Sequence, residues 1–136
     1  MIVDSSALVA VLMAEPEADE MSDLLESRSF SLSAATLTEC TIVLRSKGGE
    51  AKMLALDELL EATRATVVPV DEAQARLAGG AYARYGRGSG HPARLNYGDC
   101  FSYALAITRD EPLLFKGDDF VHTDVRLVEP AGPTGD

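Results

Sequence analysis

Four separate segments of this chain carry carboxylates of a kind that could work together. Asp4 follows the short apolar run Met1–Val3, and Glu39 lies within SLSAATLTECTIVL. Asp99 precedes the apolar stretch FSYALA, and Asp118 and Asp119 follow PLLFKG. In open parallel sheets, functional groups gather beyond the carboxyl ends of the strands, where loops and helix starts meet. No run of Lys or Arg accompanies these acids. Two carboxylates about 4 Å apart repel by about 4 kcal/mol at an effective dielectric near 20, so protons or metal ions must settle such a cluster. Oxygen-only ligands favour hard cations, Mg²⁺ or Mn²⁺. These ions serve in-line displacement at phosphorus, so the implied chemistry is phosphodiester hydrolysis.

Each acid also has a plain structural reading. Asp4 and Asp99 suit helix N-termini, where they would cap backbone N–H groups or oppose the helix dipole. Glu39 suits the exposed side of an amphipathic helix, and Gly117-Asp118-Asp119 is ordinary turn composition. Only their joint arrival at one edge would make them a site.

The elements that would bring them there are legible from pattern. Residues 1–3 form a short strand, and Asp4-Ser5-Ser6 cap a helix over 7–13. Pro16 opens a second helix carrying Met21, Leu24 and Leu25. Residues 30–33 alternate as a strand, and a helix over 34–46 stops at Gly48-Gly49 before another over 50–62. A strand at 67–70 leads through Asp71 to a helix ending near Tyr85. Residues 86–98, with four glycines and Pro92, form a loop, and a helix runs from about Asp99 to Thr108. A strand at 113–115, a turn at 116–120 and a fifth strand at 125–128 complete the domain, with 130–136 as a tail. Short apolar strands alternating with helices predict an α/β sandwich with a parallel sheet covered on both faces.

Bulk properties narrow the class. A chain of 136 residues, 46% of them hydrophobic, builds one core. The longest apolar runs fall far short of the roughly 20 residues that cross a bilayer, and no basic-then-apolar leader is seen, so a cytoplasmic protein is expected. Cys40 and Cys100 fit neither a disulfide framework nor a zinc knuckle and read as buried small hydrophobes. The net charge of −10 argues against nucleic acid until its distribution is considered. From Ala73 through Gly98 there is no Asp or Glu, while Arg76, Arg84, Arg87 and Arg94 occur there.

In order and spacing, MIVDSSALVAVL, SLSAATLTECTIVLRSKGG, LNYGDCFSYALA and PLLFKGDDFVHTDV resemble the PIN-domain ribonucleases, and more closely the VapC toxins of type II toxin–antitoxin systems. The resemblance implies a PIN-like three-layer sandwich over residues 1–129, with a short central parallel sheet flanked by helices. It also implies a Mg²⁺-dependent endoribonuclease, with Mn²⁺ as the other candidate ion. Asp4, Glu39, Asp99 and Asp118 become the catalytic acids, with Asp4 and Asp99 as metal ligands and Ser6 and Asp119 in support. The last block departs from the commoner family pattern, in which a threonine precedes the acid, and its register is ambiguous by one residue. Asp118 is taken because Asp119 adjoins Phe120, which should anchor the turn in the core. Lys116 stands near the threonine's place, where its charge would hold a phosphate. Arg84, Arg87 and Arg94 become candidate RNA contacts, whereas His91 is read as a loop residue. The resemblance further implies a homodimer and a VapB-type antitoxin lying across the acid groove. Two other readings remain: a catalytically silent protein-binding module, and an aspartyl-nucleophile phosphatase. In the phosphatase an aspartate would be expected where Ser6 stands.

Overall fold

The computed structural model describes residues 1–129; the expected tail at 130–136 lies outside the described residues. Four strands form one parallel sheet in the order β3-β2-β1-β4. In chain order the elements are β1 (Ile2–Val3), α1 (Ser5–Leu12), α2 (Ala18–Ser27), β2 (Ser31–Ser33), α3 (Ala34–Thr63), β3 (Thr66–Val68), α4 (Glu72–Tyr85), α5 (Tyr97–Arg109) and β4 (Leu113–Leu114).

Successive strand residues point to opposite faces, so even a two-residue strand serves two cores. Val3 and Leu114 pack with Leu8, Leu25 and Leu44 beneath α1, α2 and α3. Ile2 and Leu113 pack with Ala81, Tyr103 and Leu105 beneath α4 and α5. The register pairs Ile2 with Leu113 and Val3 with Leu114, which keeps each pair on one face. This is the expected three-layer α/β sandwich.

Among the boundaries that differ from expectation, three have plain local reasons. Pro16 lies in the turn before α2 rather than in its first turn, because the chain from Met13 to Glu17 turns twice before Ala18. The helices at 34–46 and 50–62 follow one another directly within α3, broken only where Gly49 adopts φ 72°, ψ −165°. That positive φ suits glycine, which has no Cβ to clash. The fifth strand is reduced to a single bridge between Leu113 and Leu127. Among the described residues, no helix is long and apolar enough to cross a membrane.

Candidate active site

The carboxyl ends of β1, β2 and β4 share one edge of the sheet, and the chain delivers an acid there from each following segment. Asp4 is the N-cap of α1 and is 2% exposed. Its Oδ2 accepts from the Ser6 amide at 3.1 Å and the Ser6 hydroxyl at 2.7 Å. Its Oδ1 accepts from the Ser102 hydroxyl at 2.5 Å. Helix capping and a place in the site are therefore not alternatives for this residue. Ser6 also accepts from the Lys116 amide at 2.9 Å, which ties the start of α1 to the segment after β4.

Helix α5 begins two residues earlier than the sequence suggested, because Asn96 and not Asp99 is its N-cap. The Asp99 amide donates to Asn96 Oδ1 at 2.8 Å, and the Asn96 amide donates to Asp99 Oδ2 at 3.0 Å. This reciprocal capping box holds the Asp99 carboxyl at a defined place one turn into a helix packed in the core. Ser102, three residues on, shares that helix face and reaches Asp4. Thr36, near the start of α3, lies 3.2 Å from Ser102, so three elements meet in one buried hydroxyl chain ending on Asp4.

Glu39 sits on the second turn of α3. Its Oε1 accepts from the Ser5 hydroxyl at 2.5 Å. Its Oε2 lies against Gly98 so closely that a Cβ there would overlap the carboxylate. A side chain at position 98 would push Glu39 away from Asp99.

These acids open on a hollow of about 310 Å³ whose wall includes Asp4, Glu39, Asp99 and Asp119. Asp118 does not line it. It faces a second hollow of about 330 Å³ with Arg87, Arg94 and His122, and Asp119 borders both. Of the two acids expected at this turn, Asp119 and not Asp118 therefore borders the hollow shared with Asp4, Glu39 and Asp99. Phe120 is buried as expected, at 1% exposure, but anchoring it leaves Asp119 turned toward the acids.

Crowding leaves an electrostatic mark on Asp99. Burial pushes its carboxyl up to about 8; the Asn96 amide opposes that, and the nearby Asp4 and Asp119 reinforce it. The Cys40 thiol is pushed up to about 12, by burial first and then by Asp4 and Glu39. Both cysteines are buried and free. Two cations also border the acid hollow. Lys116 is held by Glu15 at 2.9 Å and Glu17 at 3.4 Å. Lys47 is exposed and lies two turns beyond Glu39 on the same stripe of α3.

The other candidates are dispersed. Arg84 faces a separate hollow between α4 and Tyr103, with its guanidinium 4.7 Å from the centre of the Tyr85 ring and 4.0 Å from Asp124. His91 accepts from the Ala93 amide at 3.1 Å and packs edge-on against Tyr85, as a loop residue would. Sequence reading missed Ser5, Lys47, Asn96, Gly98 and Ser102. The pair Asn96 and Asp99 was the readable one, since a cap followed three residues later by an acid marks a helix start.

Among the described residues, no three His, Cys, Asp or Glu side chains stand close enough to enclose an ion unaided. Two buried carboxylates of different elements, each already fixed by hydrogen bonds, nevertheless suit a hard cation. Mg²⁺ is commonly held by one or two carboxylates and keeps several waters.

The PIN domain family model matches residues 1–126, so the chain belongs to the PIN-domain family. It is 56% identical to Ribonuclease VapC28 of Mycobacterium tuberculosis over 127 residues, covering 93% of this chain and 96% of that protein. It is 51% identical to Ribonuclease VapC42 of the same species over 128 residues, covering 93% and 97%. Among solved structures, M. tuberculosis VapC20, described as a sarcin–ricin-loop-cleaving toxin, shares the fold with a TM-score of 0.77. That match has 19% identity and covers 95% of this chain and 98% of VapC20. VapBC2 of Rickettsia felis, solved bound to a promoter DNA fragment, matches with a TM-score of 0.71 at 14% identity, covering 94% and 96%.

Proposed function

We propose that the chain is the toxin of a type II toxin–antitoxin pair, a divalent-metal-dependent endoribonuclease whose reaction centre is the hollow lined by Asp4, Glu39, Asp99 and Asp119. The observation that carries this reading is the convergence of two buried, hydrogen-bonded carboxylates, Asp4 and Asp99, in a chain 56% identical to a named ribonuclease. Asp4 and Asp99 would hold Mg²⁺ or Mn²⁺. When bound, the ion supplies positive charge to the phosphate oxygens and lowers the cost of ionising a water.

The protein's own contribution is to fix donors and acceptors before substrate arrives. Ser6 and Ser102 hold both oxygens of Asp4, and the Asn96 amide holds one oxygen of Asp99. Glu39, only partly buried, and Asp119, at the mouth, remain as acceptors for a proton leaving the attacking water. The engagement of Ser6 also weighs against the phosphatase reading. Ser6 supports the carboxylate that would have to act as nucleophile and supplies no acid of its own.

The likeness to a VapBC structure supports a VapB-type antitoxin as partner, and a homodimer in a cytoplasmic setting is part of the same proposal. For the dimer, Ile42 and Tyr97 are exposed on α3 and α5 at 63% and 77%, and Tyr97 packs edge-on against Phe101. An antitoxin that lays a basic side chain among these acids would relieve their repulsion as a metal does.

The test is cleavage of total bacterial RNA by antitoxin-free protein. After EDTA treatment the protein should be inactive, and millimolar Mg²⁺ should restore cleavage. No cleavage in Mg²⁺, together with no heat of Mg²⁺ binding, would point instead to the silent binding module.

A further inference from the structure

Cations border both the acid hollow and the second hollow that adjoins it at Asp119. Residues 39, 43 and 47 form one stripe of α3, and all three border the hollow. At 1.5 Å rise per residue, Lys47 stands about 12 Å along the helix from Glu39. Glu39 marks the Gly98–Asp99 end, because its carboxylate touches Gly98. Lys47 therefore marks the opposite end of that stripe, and Glu15 and Lys116 also line the hollow. Just beyond the Gly49 break, the Lys52 ammonium donates to the Leu12 carbonyl at 2.7 Å, which ties that part of α3 to the end of α1.

Beyond Asp119, at the Asp99 end, lies the second hollow with Arg87, Arg94 and His122. Its rim is a braced loop. The Arg87 amide donates to the Leu95 carbonyl at 3.0 Å and the Leu95 amide to the Tyr85 carbonyl at 2.9 Å, a parallel bridge of Gly86 with Leu95 that ties the segments carrying Arg87 and Arg94 together. Among the described residues, neither guanidinium forms an ion pair, although Asp118 and Asp119 share its hollow. The Lys47 ammonium is likewise without an ion-pair partner among the described residues.

Building on the ribonuclease reading, we infer that Lys47 at one end, and Arg87 and Arg94 at the other, form two phosphate contacts flanking the acids. They define a track for a single RNA strand that passes over Asp119. A strand placed this way has its scissile phosphate over Asp4 and Asp99 and its neighbouring phosphates on cations. In a chain of net charge −10, whose acids also line this path, Lys47, Arg87 and Arg94 are the cations along it that form no ion pair among the described residues, and so are open to phosphate. Arg84 belongs to another hollow and lies off the track. Single-stranded RNA fits better than duplex because a strand must bend from one hollow into the next.

The experiment measures binding of a fluorescein-labelled, mixed-sequence 16-nucleotide RNA to Asp99→Asn protein by anisotropy, across a salt series. Lys47→Ala, Arg87→Ala and Arg94→Ala are each added to that background, with Arg28→Ala as the off-track cation. All four positions are exposed, so circular dichroism should be unchanged. Each track substitution should weaken binding roughly threefold to tenfold and lower the salt slope by about 0.7, with Arg28→Ala matching the background. Lys47→Ala and Arg87→Ala together should be additive, because the sites are far apart. If the parent cleaves RNA but the track variants bind like the background, or no more weakly than Arg28→Ala, the track is overturned and the ribonuclease reading stands. If the parent does not cleave and the background protein does not bind RNA, both fall.

Discussion

Asp99 shows how one residue serves folding and chemistry through different oxygens. Its capping box fixes the start of α5, while burial and the neighbouring acids press its carboxyl to hold a proton, with a pKa of about 8. Asparagine keeps an oxygen to accept the Asn96 amide and removes the charge. Metal-free Asp99→Asn should therefore unfold at a higher temperature than the parent at pH 8.5, by a few degrees, and should not cleave RNA. Differential scanning calorimetry on EDTA-treated protein measures the first effect. A lower unfolding temperature for the variant would mean that the acids do not repel as described.

At the scale of elements, the hydroxyl chain Thr36–Ser102–Asp4 couples α3 and α5 to the end of β1. Loss of such a supporting partner typically costs 10–100-fold in metal affinity or activity. Ser102→Ala should accordingly lower Mg²⁺-dependent cleavage about tenfold or more, while costing about 1–3 kcal/mol of stability. Partial recovery at higher Mg²⁺ would separate this positioning effect from simple unfolding, and an unchanged Mg²⁺ dependence would contradict it. The chain Thr36–Ser102–Asp4 spans residues 98 positions apart, which explains why pattern reading could not find it. The helices and strands themselves were readable, because short apolar runs, Asp71 before α4 and Gly49 within α3 act locally. The choice between Asp118 and Asp119 was not, since both precede the buried Phe120 and only the path of the turn decides which one faces Asp99.

For the whole molecule, the raised Asp99 pKa sets a sign for stability against pH. The folded state holds this proton more tightly than the unfolded state, whose carboxyl has the ordinary value of 3.8. Its stabilising contribution is full below pH 3.8 and is lost as pH rises toward about 8. In EDTA, the unfolding temperature of the parent should fall across that window more steeply than that of Asp99→Asn. Saturating Mg²⁺ should reverse the trend, because an ion that binds only the folded state stabilises it by mass action. Parallel pH profiles for the two proteins would show that Asp99 does not carry the strain of the site.

RNA cleavage is proposed to take place in the hollow lined by Asp4, Glu39, Asp99 and Asp119. The most direct measurement is the rate of Mg²⁺-dependent RNA cleavage by Asp119→Asn and Asp118→Asn, compared side by side with the parent and Asp99→Asn. Asp119→Asn and Asp99→Asn should each lose about 100-fold or more, as expected for groups at a metal centre, while Asp118→Asn continues to cleave. Full activity in Asp119→Asn, with loss confined to Asp118→Asn, would contradict the site as described.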